Sequence, residues 1–363
     1  MRGPDTMVLH GGNVYKAAKQ LNMPYNKILD FSANINPLGF PDVVRQVIIN
    51  HINDIVHYPD TEQMELKKVA AEYYGINPEN LLPGNGSVEL INIIMEALRP
   101  SKVIIPAPTF SEYAHSCRTR GIKTELIDMT KNNFEWDMEL FERAEKLMDK
   151  NSMLVLCNPN NPTGKLILKN DIINMLELVK EKRSFLLLDE AFMDFVINSQ
   201  SLIKEVEKHK NLIILRSLTK FFALPGLRVG FAASNSELIQ KISELKDPWN
   251  INTFAGLVGS EVLKDKNYIE LTKKFISQEK EYFWGTLNDI RGISPFHPEA
   301  NFVFVRITGE ITSDALAQKL KKYGILIRRC GNFDFLDDNF FRVAVRKREE
   351  NDILISALIS ILS

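Results

Sequence analysis

Four short, almost unbroken apolar runs constrain this chain more than any other feature: KVIIP at 102–106, MLVLC at 153–157, FLLLD at 185–189 and NLIIL at 211–215. Each is of strand length, each is rich in Val, Ile, Leu or Phe, and amphipathic stretches of helical period separate them. A strand that is apolar on both sides must be covered on both faces, so the segment from about Leu81 to Ala233 predicts an α/β unit with a mainly parallel sheet between helices. Ligands of such sheets bind where the strands end at their carboxyl termini and the connecting loops gather. The polar clusters of the sequence fall at those ends: Asn158 to Gly164 after one run, Asp189 closing another, and Ser217 to Lys220 after a third. Three segments distant in sequence are thereby predicted to converge on one site.

Beyond about Trp249 the pattern changes. Helical stretches over roughly 254–289, an alternating ANFVFVRI run at 300–307, a helix near 313–323 and FFRVAVR at 340–346 predict a second, smaller α+β unit. The division expected is an N-terminal segment over 1–45 that joins the small unit and the site, a large unit over 46–250, and an interdomain helix with the small domain over 251–363. Lys plus Arg (45) nearly balances Asp plus Glu (46). No long-range field then favours nucleic acid or an anionic membrane, and any anion site must be local. Three cysteines without CxxC spacing suggest neither a disulfide framework nor a zinc site. No metal is expected. The first thirty residues lack a signal-type apolar run and no stretch reaches transmembrane length, so the chain reads as an unexported, cytoplasmic protein.

Four segments carry chemistry. SLTKFFALPGLRVG, from Ser217 to Gly230, places the hydroxyls of Ser217 and Thr219 beside Lys220, with Arg228 eight residues on. A lysine at a sheet-end pocket loses hydration, which lowers its pKa and frees the neutral amine for imine formation, while hydroxyls and an arginine suit a phosphate. A surface lysine with capping hydroxyls is the simpler alternative for an isolated SxxK. Asp189 ends a buried run, where an unpaired charge costs on the order of several kcal/mol, so it needs a cationic partner. A protonated pyridine nitrogen is one such partner and a structural arginine another. NPNNPTG at 158–164 forces an irregular turn in which Asn161 can donate to a ring oxygen, although turn propensity alone accounts for such a segment. PGNGSVE at 83–89 leads into a helical stretch whose first N–H groups, with Ser87, form an anion site. A dinucleotide loop of the GxGxxG type would require glycine where Glu89 stands.

In register along nearly the whole chain, these segments resemble the fold-type-I pyridoxal 5′-phosphate (PLP) enzymes, within them the group that holds histidinol-phosphate aminotransferases and L-threonine-O-3-phosphate decarboxylases. The resemblance implies a seven-stranded, mainly parallel sheet in the large domain. It implies PLP as cofactor, with Lys220 as the Schiff-base lysine, Asp189 on the pyridine nitrogen, Asn161 on the ring hydroxyl oxygen and Phe110, in PTFSEY, stacked on the ring. Ser217, Thr219 and Arg228, with Ser87 and Val88, would hold the phosphate. Tyr58, in HYPD, resembles the tyrosine that reaches the cofactor phosphate of a neighbouring subunit, which implies a homodimer with shared sites.

HGGN at 10–13 and DFSANINPLG at 30–39 are similar to the decarboxylases in particular. So is Phe192 in DEAF, where the aminotransferases commonly carry tyrosine. His10, Gly11, Asn34, Arg328 and Arg342 match substrate-contacting positions there, and Arg342 also matches the carboxylate-binding arginine of the aminotransferases. Arg346 and Arg329 are near enough in sequence to help, and a solvated edge-strand arginine is the preferred reading of Arg329. The resemblance therefore implies decarboxylation of L-threonine O-3-phosphate, a small phosphorylated amino acid, to aminopropanol phosphate in cobalamin biosynthesis. Transamination of histidinol phosphate or an aromatic amino acid with 2-oxoglutarate is the alternative.

Overall fold

The computed structural model describes residues 11–363. Its centre is a seven-stranded sheet in the order Leu81–Gly84, Gly230–Ala233, Leu212–Ser217, Phe185–Asp189, Met153–Cys157, Lys102–Ala107 and Lys123–Asp128. All neighbours pair in parallel except Gly230–Ala233, which runs antiparallel to both strands beside it. The four apolar runs supply four central strands, buried along nearly their whole length. Two apolar layers result, one on each face: Leu90, Ile94, Val103, Val155 and Leu187 on one side, Ile104, Leu154, Leu186 and Ile214 on the other. The reversed strand was not among the clear apolar runs because its sequence, GFAA, is small and short. Gly230 is required there, since a Cβ would stand 2.6 Å from the Arg216 carbonyl oxygen.

The helical stretch expected over 254–289 is two helices, Thr253–Lys264 and Lys266–Asn288. Asp265 ends the first and caps the second, accepting from the Tyr268 N–H at 2.9 Å. After them comes a four-stranded antiparallel sheet, Arg328–Arg329, Phe340–Ala344, Phe302–Ile307 and Ile293–Pro295. The N-terminal segment is tied to this part of the chain. Leu29–Asp30 pairs in parallel with Ile325–Leu326, and the Phe31 carbonyl accepts from Ala344 N–H at 2.8 Å. The same segment reaches the large sheet's loops: Asn36 N–H donates to the Lys220 carbonyl at 3.1 Å, and buried Asn36 Nδ2 donates to the Phe221 carbonyl at 2.8 Å. DFSANINPLG thus stitches the two sheets together beside Lys220. Among the described residues no helix is long and apolar enough to cross a membrane.

Candidate active site

The carboxyl ends of the central strands open into a cavity of about 380 Å³, whose far wall is the N-terminal segment and the small antiparallel sheet. Lys220 lies in it, on the single helical turn Leu218–Phe221 that follows the strand Leu212–Ser217. Its amine forms no hydrogen bond or ion pair with a described residue. Burial lowers its pKa to about 8, the guanidinium groups of Arg228 and Arg342 add to the lowering, and Asp189 opposes it. Ser217 and Thr219 are buried, with their hydroxyl oxygens 2.7 Å apart.

Beside them begins the helix Ser87–Leu98. Gly86 occupies its N-cap with φ of 75°, and no side chain caps the first turn. The acidic residue of that turn is turned away: Glu89 accepts from Asn85 N–H at 2.6 Å and from Asn250 Nδ2 at 2.8 Å. Arg228, itself at a φ of 62°, lays its guanidinium over Gly86, where a Cβ would stand 2.5 Å from Nη2. An uncapped helix start, an arginine, the buried hydroxyls and a glycine that keeps the approach open form an anion cradle that fits a phosphate monoester.

Asp189 is buried at the end of its strand and forms no ion pair with a described residue. Burial pushes its carboxyl up, while hydrogen bonds from the Tyr113 hydroxyl at 2.6 Å and Ala191 N–H at 3.0 Å pull it down. The next strand presents Cys157 opposite Asp189, and burial holds that thiol protonated with a pKa of about 12. In the loop that follows, Asn158 exchanges two hydrogen bonds with the Ile167 backbone, and Asn160 bonds Thr109, Thr163 and the Pro108 carbonyl. Those two asparagines build the turn. Asn161 faces the cavity, its Oδ1 accepts from Arg342, and its amide N–H₂ remains available to a ligand. Phe110 lines the same cavity and packs edge-on against Tyr113. A lysine of lowered pKa, a phosphate cradle and a buried carboxylate awaiting a cation are the set that PLP requires, so the residues present fit that cofactor.

The far wall carries Arg342 and Arg328, directly opposite one another on paired antiparallel strands. Arg342 is buried, donates to Asn161 and to the Ser32 carbonyl at 2.8 Å, and lies over the Phe302 ring. Burial lowers the pKa of both guanidiniums, that of Arg342 to about 10. Arg328 lies over the Phe333 ring at 4.8 Å. Neither forms an ion pair with a described residue. Gly11 meets the DFSAN segment so closely that a Cβ would stand 2.3 Å from the Ser32 carbonyl oxygen, and Gly12 N–H donates to Ser32 Oγ at 2.8 Å. Ser32 Oγ in turn donates to Asp30 at 2.6 Å. Gly11 and Gly12 are therefore docked on DFSAN at the rim. Asn34 is buried in the wall, and its Oδ1 has no hydrogen-bond partner among the described residues.

Of the expected site residues, Gly11, Asn34, Ser87, Val88, Phe110, Asn161, Asp189, Ser217, Thr219, Lys220, Arg228, Arg328 and Arg342 line this one cavity. Two do not. Arg346 is turned aside, donating to the Asp30 carbonyl at 3.2 Å and to Glu350 at 2.8 Å, because the next helix brings Glu350 within reach. Tyr58 is 80% exposed and stacked on Trp249 with ring centroids 4.7 Å apart. His10 lies outside the described residues. Arg329 is half-buried, its side chain 40% exposed, and pairs with Asp314 at 2.8 Å. Tyr113, Ser32 and Phe333 also line the cavity without having been singled out. Ser32 and Tyr113 sit inside DFSAN and PTFSEY, within three residues of Asn34 and Phe110, whereas no motif surrounds Phe333.

The chain matches the model of the aminotransferase class I and II family over residues 26–358. It is 38% identical over 96% of its length, and 92% of the relative's, to a protein of Caldanaerobacter subterraneus subsp. tengcongensis described provisionally as a threonine-phosphate decarboxylase. It is 32% identical to the threonine-phosphate decarboxylase of Salmonella typhimurium, covering 98% of this chain and 96% of that one. The solved histidinol-phosphate aminotransferase of Clostridium acetobutylicum superposes with a TM-score of 0.85 at 35% identity, covering 92% of this chain and 99% of that one. The aminotransferase falls between the two decarboxylases in identity, so overall likeness does not separate the activities. A family match over nine-tenths of the chain does settle the larger question: this protein belongs to the aminotransferase class I and II family.

Proposed function

We propose that this chain binds PLP on Lys220 and decarboxylates L-threonine O-3-phosphate to aminopropanol phosphate, a step of cobalamin biosynthesis. The observation that carries the reading is the pair Arg328 and Arg342. Like charges directly opposite on neighbouring strands repel, and these two are held in the cavity wall without an ion-pair partner among the described residues. A ligand bearing two separate anionic groups resolves that repulsion, and a phosphorylated amino acid has a carboxylate and a phosphate. The docking of Gly11 on Ser32 supports the same reading, because it sets a glycine of that motif against the residue whose carbonyl holds Arg342.

PLP, when bound, supplies an electron sink for the pair left on the substrate α-carbon. In the chain itself, the cradle of Gly86, Ser87, Val88, Ser217, Thr219 and Arg228 holds a phosphate. Asp189 keeps a ring nitrogen protonated, and Asn161 donates to the ring oxygen. Phe192 offers no hydroxyl there, packing instead on Phe302 at 5.1 Å. The arginines fix substrate orientation, which decides whether the carboxylate or the α-hydrogen is lost. With a pKa of about 8, Lys220 Nζ can carry a proton to the α-carbon once carbon dioxide has departed.

The same reading divides the chain into a cofactor-holding unit over 46–250 and a small domain over 251–363, joined by residues 1–45. It makes the protein a homodimer in which Tyr58 serves the neighbouring subunit's site. Support for the dimer comes from exposed Ile49, Ile52, Ile55 and Val56 leading up to Tyr58. The experiment is to incubate the PLP-loaded protein with O-phospho-L-threonine without a keto acid and to follow carbon dioxide and aminopropanol phosphate. Activity only on histidinol phosphate with 2-oxoglutarate would replace this reading by transamination.

A further inference from the structure

The cavity also holds a buried ionisable pair, Tyr113 and Asp189. Tyr113, in the first turn of the helix Glu112–Thr119, is fully buried and gives its hydroxyl proton to Asp189 Oδ2 at 2.6 Å, while Ala191 N–H binds Oδ1 at 3.0 Å. Each carboxylate oxygen is thereby pinned by one donor. Phe110 holds the Tyr113 ring edge-on, with centroids 5.6 Å apart at 83°. The other ionisable groups around Asp189 are Cys157 on the adjacent strand, Glu190 next in the chain and Lys220. Cys157 stays neutral, and Glu190 is committed to Arg216 at 2.8 Å and to Ser201. The phenol of Tyr113 is itself pushed well above its ordinary range by burial, so it remains a donor at every working pH. Among the interactions that favour a charged Asp189, the Tyr113 hydrogen bond is the largest.

We propose that Tyr113 is a positioning residue whose hydroxyl fixes Asp189 as an aimed carboxylate able to hold the positive ring nitrogen of the cofactor. The inference rests on the cofactor reading above. In the cofactor-free protein the buried carboxyl is free to take a proton, but against a pyridinium it must stay charged. A donor that favours the charged form therefore acts selectively on the loaded protein. Hydrogen bonds to charged groups are strong enough that losing this one corresponds to about a 10- to 100-fold loss of PLP affinity.

The test is the dissociation constant of PLP for cofactor-free wild type, Tyr113→Phe, Asp189→Asn and the double variant, from pH 6 to 9, with thermal unfolding of each cofactor-free protein. Tyr113→Phe keeps the ring and its packing on Phe110. The result expected is weaker binding by about 10- to 100-fold in that variant, a loss that grows as pH falls, and at most about a twofold further change when Asp189 is already Asn. Unchanged affinity in Tyr113→Phe, or an equal loss with and without the Asp189 carboxylate, overturns the inference and leaves the cofactor reading standing. If wild type takes up no PLP, or Lys220→Ala retains the wild-type visible band, the cofactor reading itself falls and the inference with it.

Discussion

Replacing Lys220 with methionine should make the cofactor-free protein more stable at neutral pH. The amine is folded into a cavity where burial and two guanidiniums lower its pKa from 10.5 to about 8. The folded pKa lies below the unfolded one, so between the two the unfolded chain binds more protons and stability rises with pH. Below about pH 8 both states carry the charge, and its confinement costs the folded state its full amount. With the pKa lowered from 10.5 to about 8, that amount is about 3 kcal/mol at pH 7 and falls to roughly half by pH 9.5. Lys220→Met removes the charge and keeps an unbranched chain of similar reach, so the whole difference should appear as a gain. The assay is urea unfolding of wild type and variant at several pH values between 7 and 9.5, both stripped of cofactor because bound ligand stabilises the wild type by mass action. A variant no more stable than wild type at pH 7, or a gap that does not shrink as pH rises, would refute the assignment of Lys220 as a destabilised, imine-ready amine.

Three further outcomes follow from the geometry. Gly86→Ala puts a Cβ 2.5 Å from the Arg228 guanidinium at a backbone φ of 75°, and should weaken PLP binding by about tenfold or more in a fluorescence titration. Arg328→Gln removes from the far wall an arginine that has no ion-pair partner among the described residues. It should raise KM for phosphothreonine by about 10- to 100-fold and leave PLP affinity unchanged. Gly11→Ala collides with the Ser32 carbonyl at 2.3 Å, so steady-state kinetics should show a higher KM for phosphothreonine while thermal unfolding shows an unchanged fold.

The apolar runs made the centre of the fold legible, because continuous burial on both faces leaves few alternatives to a covered parallel sheet. Lys220 and Asp189 were legible for the same reason: each is polar and stands at, or within five residues of, the end of a run that had to be buried. What stayed hidden depended on distances across the chain. Asn158, Asn160 and Asn161 look equivalent in NPNNPTG, and only the bonds of the first two to the Ile167, Thr109 and Pro108 regions leave the third for the cavity. Tyr113 reads as an ordinary core aromatic until its hydroxyl is seen on Asp189, seventy-six residues away. Arg346, only four residues beyond Arg342, is drawn out of the site by Glu350 in the following helix, a competition that spacing alone does not reveal. The necessity of glycine at Gly11 likewise appears only when the Ser32 carbonyl is placed against it.

The most direct test of the whole account is turnover of O-phospho-L-threonine by the PLP-loaded protein in the absence of any keto acid, read by mass spectrometry. Sustained, equimolar release of carbon dioxide and aminopropanol phosphate is the predicted result. Failure to form them, together with amino transfer from histidinol phosphate to 2-oxoglutarate, would contradict it and assign the arginine pair to the carboxylates of a transamination partner.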